Sequence, residues 1–91
     1  MNVYAISHRR NALRALTDTA LLERADELNR QLTEALANDW DVLPSIRHEL
    51  NDLDLIVLER TVTTKRLPEL DRLDDEHAGD RFAAYRALLT T

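Results

Sequence analysis

Between Asp18 and Asn38 the apolar residues Leu21, Ala25, Leu28, Leu32 and Ala35 recur at alternating steps of 4 and 3. Steps of that size stack side chains along one stripe of a helix, so the segment predicts an amphipathic helix. Its opposite face carries Arg24, Asp26, Glu27, Arg30, Gln31 and Glu34, an ordinary solvated surface. Thr17, Asp18 and Thr19 stand at its start, and each can cap a helix by accepting a backbone N–H bond. Asn38-Asp39-Trp40-Asp41 breaks the pattern. Ile46, Leu50, Leu53 and Val57 then repeat the 4, 3, 4 steps and predict a second long helix over 42–66. Pro44 suits its first turn, where a missing N–H costs little. Lys65 and Arg66 fall in its last turn, where positive charge complements the helix dipole. Pro68 is expected to stop the helix by pushing Leu67 towards an extended conformation.

The remaining elements are shorter. A helix is expected over 68–77, with Glu69 and Asp71 in its first turn. Ala78-Gly79-Asp80 reads as a corner, and Asp80 can cap a last helix over 81–89 whose apolar side is Phe82, Tyr85, Leu88 and Leu89. At the other end, 7–16 reads as a helix capped by Ser7. A short strand at Val3–Ile6 would need a partner strand that the chain does not offer. Short connections between helices predict antiparallel neighbours. The expected fold is all-α: a single helical domain over 1–91, built as a small antiparallel bundle of three main helices plus short terminal helices.

Composition agrees with helices. Seventeen leucines, one glycine and two prolines in 91 residues favour them, and an aromatic share of 4% makes the core aliphatic. Hydrophobic residues at 44% and charged residues at 32% describe a folded chain rather than a disordered one. The net charge of −5 is unevenly spread. Residues 1–16 hold Arg9, Arg10 and Arg14 and no acid, so the rest carries 12 − 3 = 9 basic against 17 acidic residues. Such a body repels a phosphate backbone, and three arginines near Tyr4 make a smaller basic stripe than nucleic-acid readers carry. The absence of cysteine excludes disulfides, thiol catalysis and thiolate metal sites. No apolar run is long enough to span a membrane and the N-terminus lacks a signal-peptide pattern, so the expected location is the cytoplasm.

Catalytic machinery is not visible. One glycine cannot build a phosphate loop, and Ser7 and Ser45 sit in no nucleophile motif. His48-Glu49-Leu50-Asn51-Asp52 partly matches the zinc-protease pattern H-E-x-x-H, with Asp52 in place of the second histidine. Leu50 and Leu53 mark the buried face of that helix, however, so His48 and Asp52 are read as solvated. Asp71, Asp74, Asp75, Glu76 and Asp80 lack the alternating ligands of a calcium loop and read as a solvated acidic corner. No enzyme activity, metal or other cofactor is expected. Trp40, at a helix corner, reads as a packing anchor whose ring covers the end of the bundle.

The apolar excess lies in Leu53-Asp54-Leu55-Ile56-Val57-Leu58. Besides the stripe already described, Leu55, Leu58 and Val62 form a second one, and a helix apolar on two sides must meet two neighbours. Those neighbours are either two helices of this chain, or one helix of this chain and another molecule. Two stretches bear on the choice. Leu28-Asn29-Arg30-Gln31-Leu32-Thr33-Glu34-Ala35-Leu36-Ala37-Asn38-Asp39-Trp40-Asp41-Val42-Leu43 and Arg66-Leu67-Pro68-Glu69-Leu70, with the later Ala83-Ala84-Tyr85-Arg86, resemble the FliT-type flagellar export chaperones. The first resembles that family's helix ending in alanine, a small polar turn, a tryptophan with an acid and a new apolar helix. The second resembles its basic-Glu-Leu stretch and closing Ala-Tyr helix. The resemblance implies a helical chaperone that binds the C-terminal part of an export client near its last helix, through Phe82, Tyr85, Leu88 and Leu89. The expected function is therefore a protein-binding adaptor or secretion-type chaperone that holds a client helix in an apolar groove. The alternatives are a protein-binding regulator, such as an inhibitor of a transcription factor or of a host complex, including one of phage origin, and a structural homodimer.

Overall fold

The computed structural model describes residues 10–91. The strand set aside at Val3–Ile6 and the cap expected at Ser7 lie outside the described residues. Residues 10–14 are helical. Four longer helices follow: α1 (Asp18–Asn38), α2 (Leu43–Thr63), α3 (Leu67–Glu76) and α4 (Arg81–Leu89), with a 3-10 turn at Trp40–Val42 between the first two. No strand occurs among the described residues, and the fold is all-α. Among them two helices are long, 21 residues each, and α3 and α4 are short. A third main helix is therefore not part of the described fold. The chain divides into two compact units, the first ending at Leu53 and the second running from Asp54 to Thr91. The boundary falls inside α2.

In the first unit α1 starts where the sequence predicts. Thr17 is extended, and its side chain accepts the Ala20 N–H at 3.1 Å. The buried face comprises Leu21, Leu22, Ala25, Leu28 and Ala35. Leu32, placed on the stripe by its spacing, is only half-buried, while Leu22 widens the stripe at the N-terminal end. The first part of α2 contributes buried Leu43, Ile46 and Leu53. Arg24 on α1 donates two bonds to the Glu49 carboxylate on α2, one of 3.1 Å. That bidentate pair ties together the two limbs that meet at the Trp40–Val42 turn.

A second ion pair corrects the reading of Asp52 as solvated. Asp52 is buried, and Arg10 Nε lies 3.3 Å from its Oδ1. The partner is 42 residues away in the chain. A buried carboxylate needs such a cation, because leaving its charge uncompensated would cost several kcal/mol. His48, its neighbour at i−4, is exposed.

The second unit buries Ile56, Val57 and Thr61 of α2, Leu70 and Leu73 of α3, and Ala84, Tyr85 and Leu88 of α4. The hydroxyl of Thr61 donates to the Val57 carbonyl, which removes the penalty of burying it. Helices α3 and α4 pack against each other. Asp80 accepts the Ala83 N–H at 3.1 Å and so caps α4 as expected. Arg81 stands between two acids, with Nε 3.4 Å from Asp54 and Nη2 4.0 Å from Asp74. Burial pushes the Asp54 carboxyl above its usual range and Asp74 adds to that, while Arg81 draws it back. The acidic corner is thus not uniformly solvated.

The ends of α2 and α3 use the same device. Lys65 adopts φ +60°, the Arg66 N–H reaches the Thr61 carbonyl at 2.9 Å, and the Lys65 N–H reaches Val62 at 3.0 Å. Ala78 adopts φ +57°, with the Gly79 N–H on Asp74 at 2.8 Å and the Ala78 N–H on Asp75 at 3.3 Å. Both are Schellman turns, which satisfy the last free carbonyls of a helix with a left-handed residue. Helix α2 therefore ends at Thr63 and not at Arg66, and its stop is the left-handed Lys65. Pro68 does not break a helix but sits in the first turn of α3, and Leu67 is already helical. Neither Lys65 nor Ala78 is glycine, so each carries steric strain. The Ala78→Gly variant should raise unfolding stability by about 0.5–1 kcal/mol, read as a higher urea midpoint. A lower midpoint would show that the left-handed turn carries no strain at this residue.

Candidate protein-binding surface

The surface at the corner between α1 and α2 follows from where α1 stops. Once the helix ends at Asn38, the carbonyls of its last turn have no intrahelical donor. Asp39, with φ −154°, leaves the helical path, and its N–H takes the Ala35 carbonyl at 2.9 Å. The Leu36 carbonyl is taken by a side chain: Trp40 Nε1 donates to it at 3.0 Å. Asp39 then accepts the Asp41 N–H at 3.2 Å and starts the 3-10 turn. With its polar atom tied to the end of α1, the indole ring stays outside, 71% exposed. Trp40 is therefore not the packing anchor that its place at a corner suggests. Leu36, at 48%, and Val42, at 40%, are exposed close to it in the chain.

Beside this corner α1 and α2 flank a cleft of about 580 Å³. Leu28, Ala35 and Ile46 form its floor and Val42 its exposed apolar edge. Glu34, Asp39, Asp41 and Glu49 line it together with one cation, Arg24. Glu49 occupies Arg24 and raises its pKa further, so the pair is internally neutral. Further along α1, Arg30 bonds both Glu27 and Glu34. The guanidinium of Arg30, with a second bond from Gln31, holds the Glu27 carboxylate down to about 2. Asp39 and Asp41 form no ion pair with any described residue. A smaller depression of about 440 Å³ is lined by Trp40, Leu43, Pro44, Arg47, His48 and Asn51.

The residues expected to touch a partner have mixed placements. Leu55, Val62 and Leu89 are exposed, with Val62 at 57%, and Leu58 and Phe82 are half-buried. Tyr85 and Leu88 are buried, so in this state of the chain they are interior residues and offer nothing to a visitor. They occupy the inward side of α4 while Leu89 turns outward. Sequence reasoning missed Leu36, Trp40 and Val42 as a surface. The available signal was phase: Ala35 holds the stripe position, so Leu36 falls off it, and Trp40 and Val42 follow a helix break. Among the described residues no group of three or more His, Asp or Glu side chains is placed to hold a metal ion. No described helix is long and apolar enough to cross a membrane.

In comparisons with known proteins the chain matches no family model, no curated protein and no solved structure. The geometry of the corner makes a stability prediction. Trp40→Ala should cost no more than about 1 kcal/mol, the worth of one exposed hydrogen bond, because little of the ring is buried. Tyr85→Ala should cost about 3–5 kcal/mol, because it empties an interior site. Urea unfolding followed by circular dichroism compares the two, and equal losses would contradict the exposed placement of the indole.

Proposed function

We propose that the protein is a protein-binding adaptor that receives a helix of a partner in the cleft beside Trp40. The observation that carries this reading is the apolar-floored cleft between α1 and α2, edged by the exposed Val42, at the same helix corner where the Trp40 indole is held outward by its bond to the Leu36 carbonyl. Large exposed apolar groups gathered at one place mark interaction surfaces more often than scattered ones do. Tryptophan is also among the residues most often dominant in binding energy, because one rigid ring covers much area at little entropic cost. A groove between two helices suits a third, which lays down an apolar stripe at i, i+3, i+4 and i+7.

Within this class the secretion-type chaperone is the favoured role. Its support is the likeness of Leu28–Leu43 to the flagellar export chaperones, a stretch that contains Leu36, Trp40 and Val42 and part of the cleft floor. A structural homodimer is the second reading, favoured by one specific observation. Leu55 and Val62 lie seven positions apart on one face of α2 and are both exposed.

Affinity capture from the source cells, with mass spectrometry, distinguishes the two surfaces. A Trp40→Asp, Val42→Asp double variant should lose the partner retained by the wild type, with helicity unchanged by circular dichroism. A Val62→Asp variant should retain it. Loss with Val62→Asp alone would move the binding surface to the exposed stripe of α2. Identical capture by all three proteins would contradict the corner as a binding surface.

A further inference from the structure

We infer that the occupant of the cleft is an amphipathic helix carrying lysine or arginine at the end that lies over Asp39 and Asp41. The inference rests on the adaptor reading and adds the chemistry of the partner. Its first support is charge. Of the four carboxylates that line the cleft, Glu49 is paired with Arg24 and Glu34 with Arg30, which leaves Asp39 and Asp41. The charge left over sits at the corner, where Asp39 and Asp41 are exposed.

The second support is the end of α1 itself. Helix α1 has no basic residue in its last turn. The negative end of its dipole is usually complemented there by a lysine, arginine or histidine. Here two aspartates follow instead, adding negative charge to a helix end that already carries it. A cation supplied from outside relieves both, and it does so next to the apolar contacts offered by Val42 and Trp40. An acidic helix would meet repulsion at the same place, so the arrangement selects between partners as well as attracting one.

The third support is length. Cleft-lining residues on α1 run from Arg24 to Asn38. At 1.5 Å per residue that is a track of about 21 Å, the length of a helix of about 14 residues. The expected partner segment is thus about four turns long, with an apolar stripe along it and positive charge at one end.

Fluorescently labelled synthetic peptides of about 14 residues test this directly by anisotropy against the full chain. Three peptides share one leucine stripe and differ only at one end, which carries lysines, glutamines or glutamates. The lysine peptide should bind about tenfold more tightly than the glutamine peptide at low salt, and the glutamate peptide should bind more weakly still. At about 0.5 M salt the difference should shrink, because the contacts lie at the surface. An Asp39→Asn, Asp41→Asn variant, which keeps an oxygen to accept the Asp41 N–H, should bind lysine and glutamine peptides alike. Equal affinity of the lysine and glutamine peptides for the wild type would overturn the charge selection while leaving helix docking intact. Failure of all three to bind would overturn the docking itself. Sedimentation of the protein alone completes the test: a dimer that excludes the peptides would make a second copy the occupant and overturn the proposal.

Discussion

The hydrogen bond from the Trp40 indole to the Leu36 carbonyl is the contact on which the surface of this protein depends. It exists because α1 ends at Asn38 and leaves a carbonyl without its usual donor. A tryptophan two residues beyond the last helical position can then supply the donor through its side chain. Once it does, the polar atom of the ring is satisfied at the rim and the ring need not go inside to find a partner. One capping interaction therefore converts the largest side chain in the sequence from core material into surface. The Asp39 side chain, which starts the next turn, places two carboxylates beside it. Apolar reach and negative charge meet at this corner because one short break in helical structure generates both.

The interior of each unit is aliphatic. Leu21, Leu28, Leu53, Ile56, Leu70 and Leu88 are almost fully buried, and among the described residues Tyr85 is the one buried aromatic. Two polar groups taken inside have partners on the helices around them: the Thr61 hydroxyl donates to a carbonyl of its own helix, and Asp52 Oδ1 accepts from Arg10. That last pair gives a role to part of the basic N-terminal segment. Its Arg10 is a counter-charge for a buried acid. Two left-handed helix ends, at Lys65 and Ala78, close the connections of the second unit at a cost in backbone strain.

Features governed by neighbours along the chain are legible in the sequence. Helices α1 and α4 have the expected limits because their periodicity is regular and because Thr17 and Asp80 are good caps. The all-α class follows from composition and spacing. Features governed by distant partners are not legible. Nothing near Asp52 announces Arg10, so an acid on an apparently polar face reads as solvated. The end of α2 is misjudged for another reason: a proline is a visible stop, whereas a lysine can adopt the left-handed conformation without any mark in the sequence. Of the candidate site, the second stripe of α2 is visible as apolar excess, and Leu55 and Val62 do face outward. Spacing alone cannot say which side of α4 faces inward, and Tyr85 and Leu88 prove to be interior. The Trp40 corner depends on a side-chain bond to a freed carbonyl, and hydropathy patterns carry no information about such bonds.

The fluorescence of the single tryptophan tests the central claim most directly. In dilute solution of the protein alone, Trp40 should emit at the long wavelength of a water-exposed indole and be quenched freely by acrylamide. Emission at short wavelength, protected from the quencher at concentrations where the protein sediments as a monomer, would contradict the exposed corner.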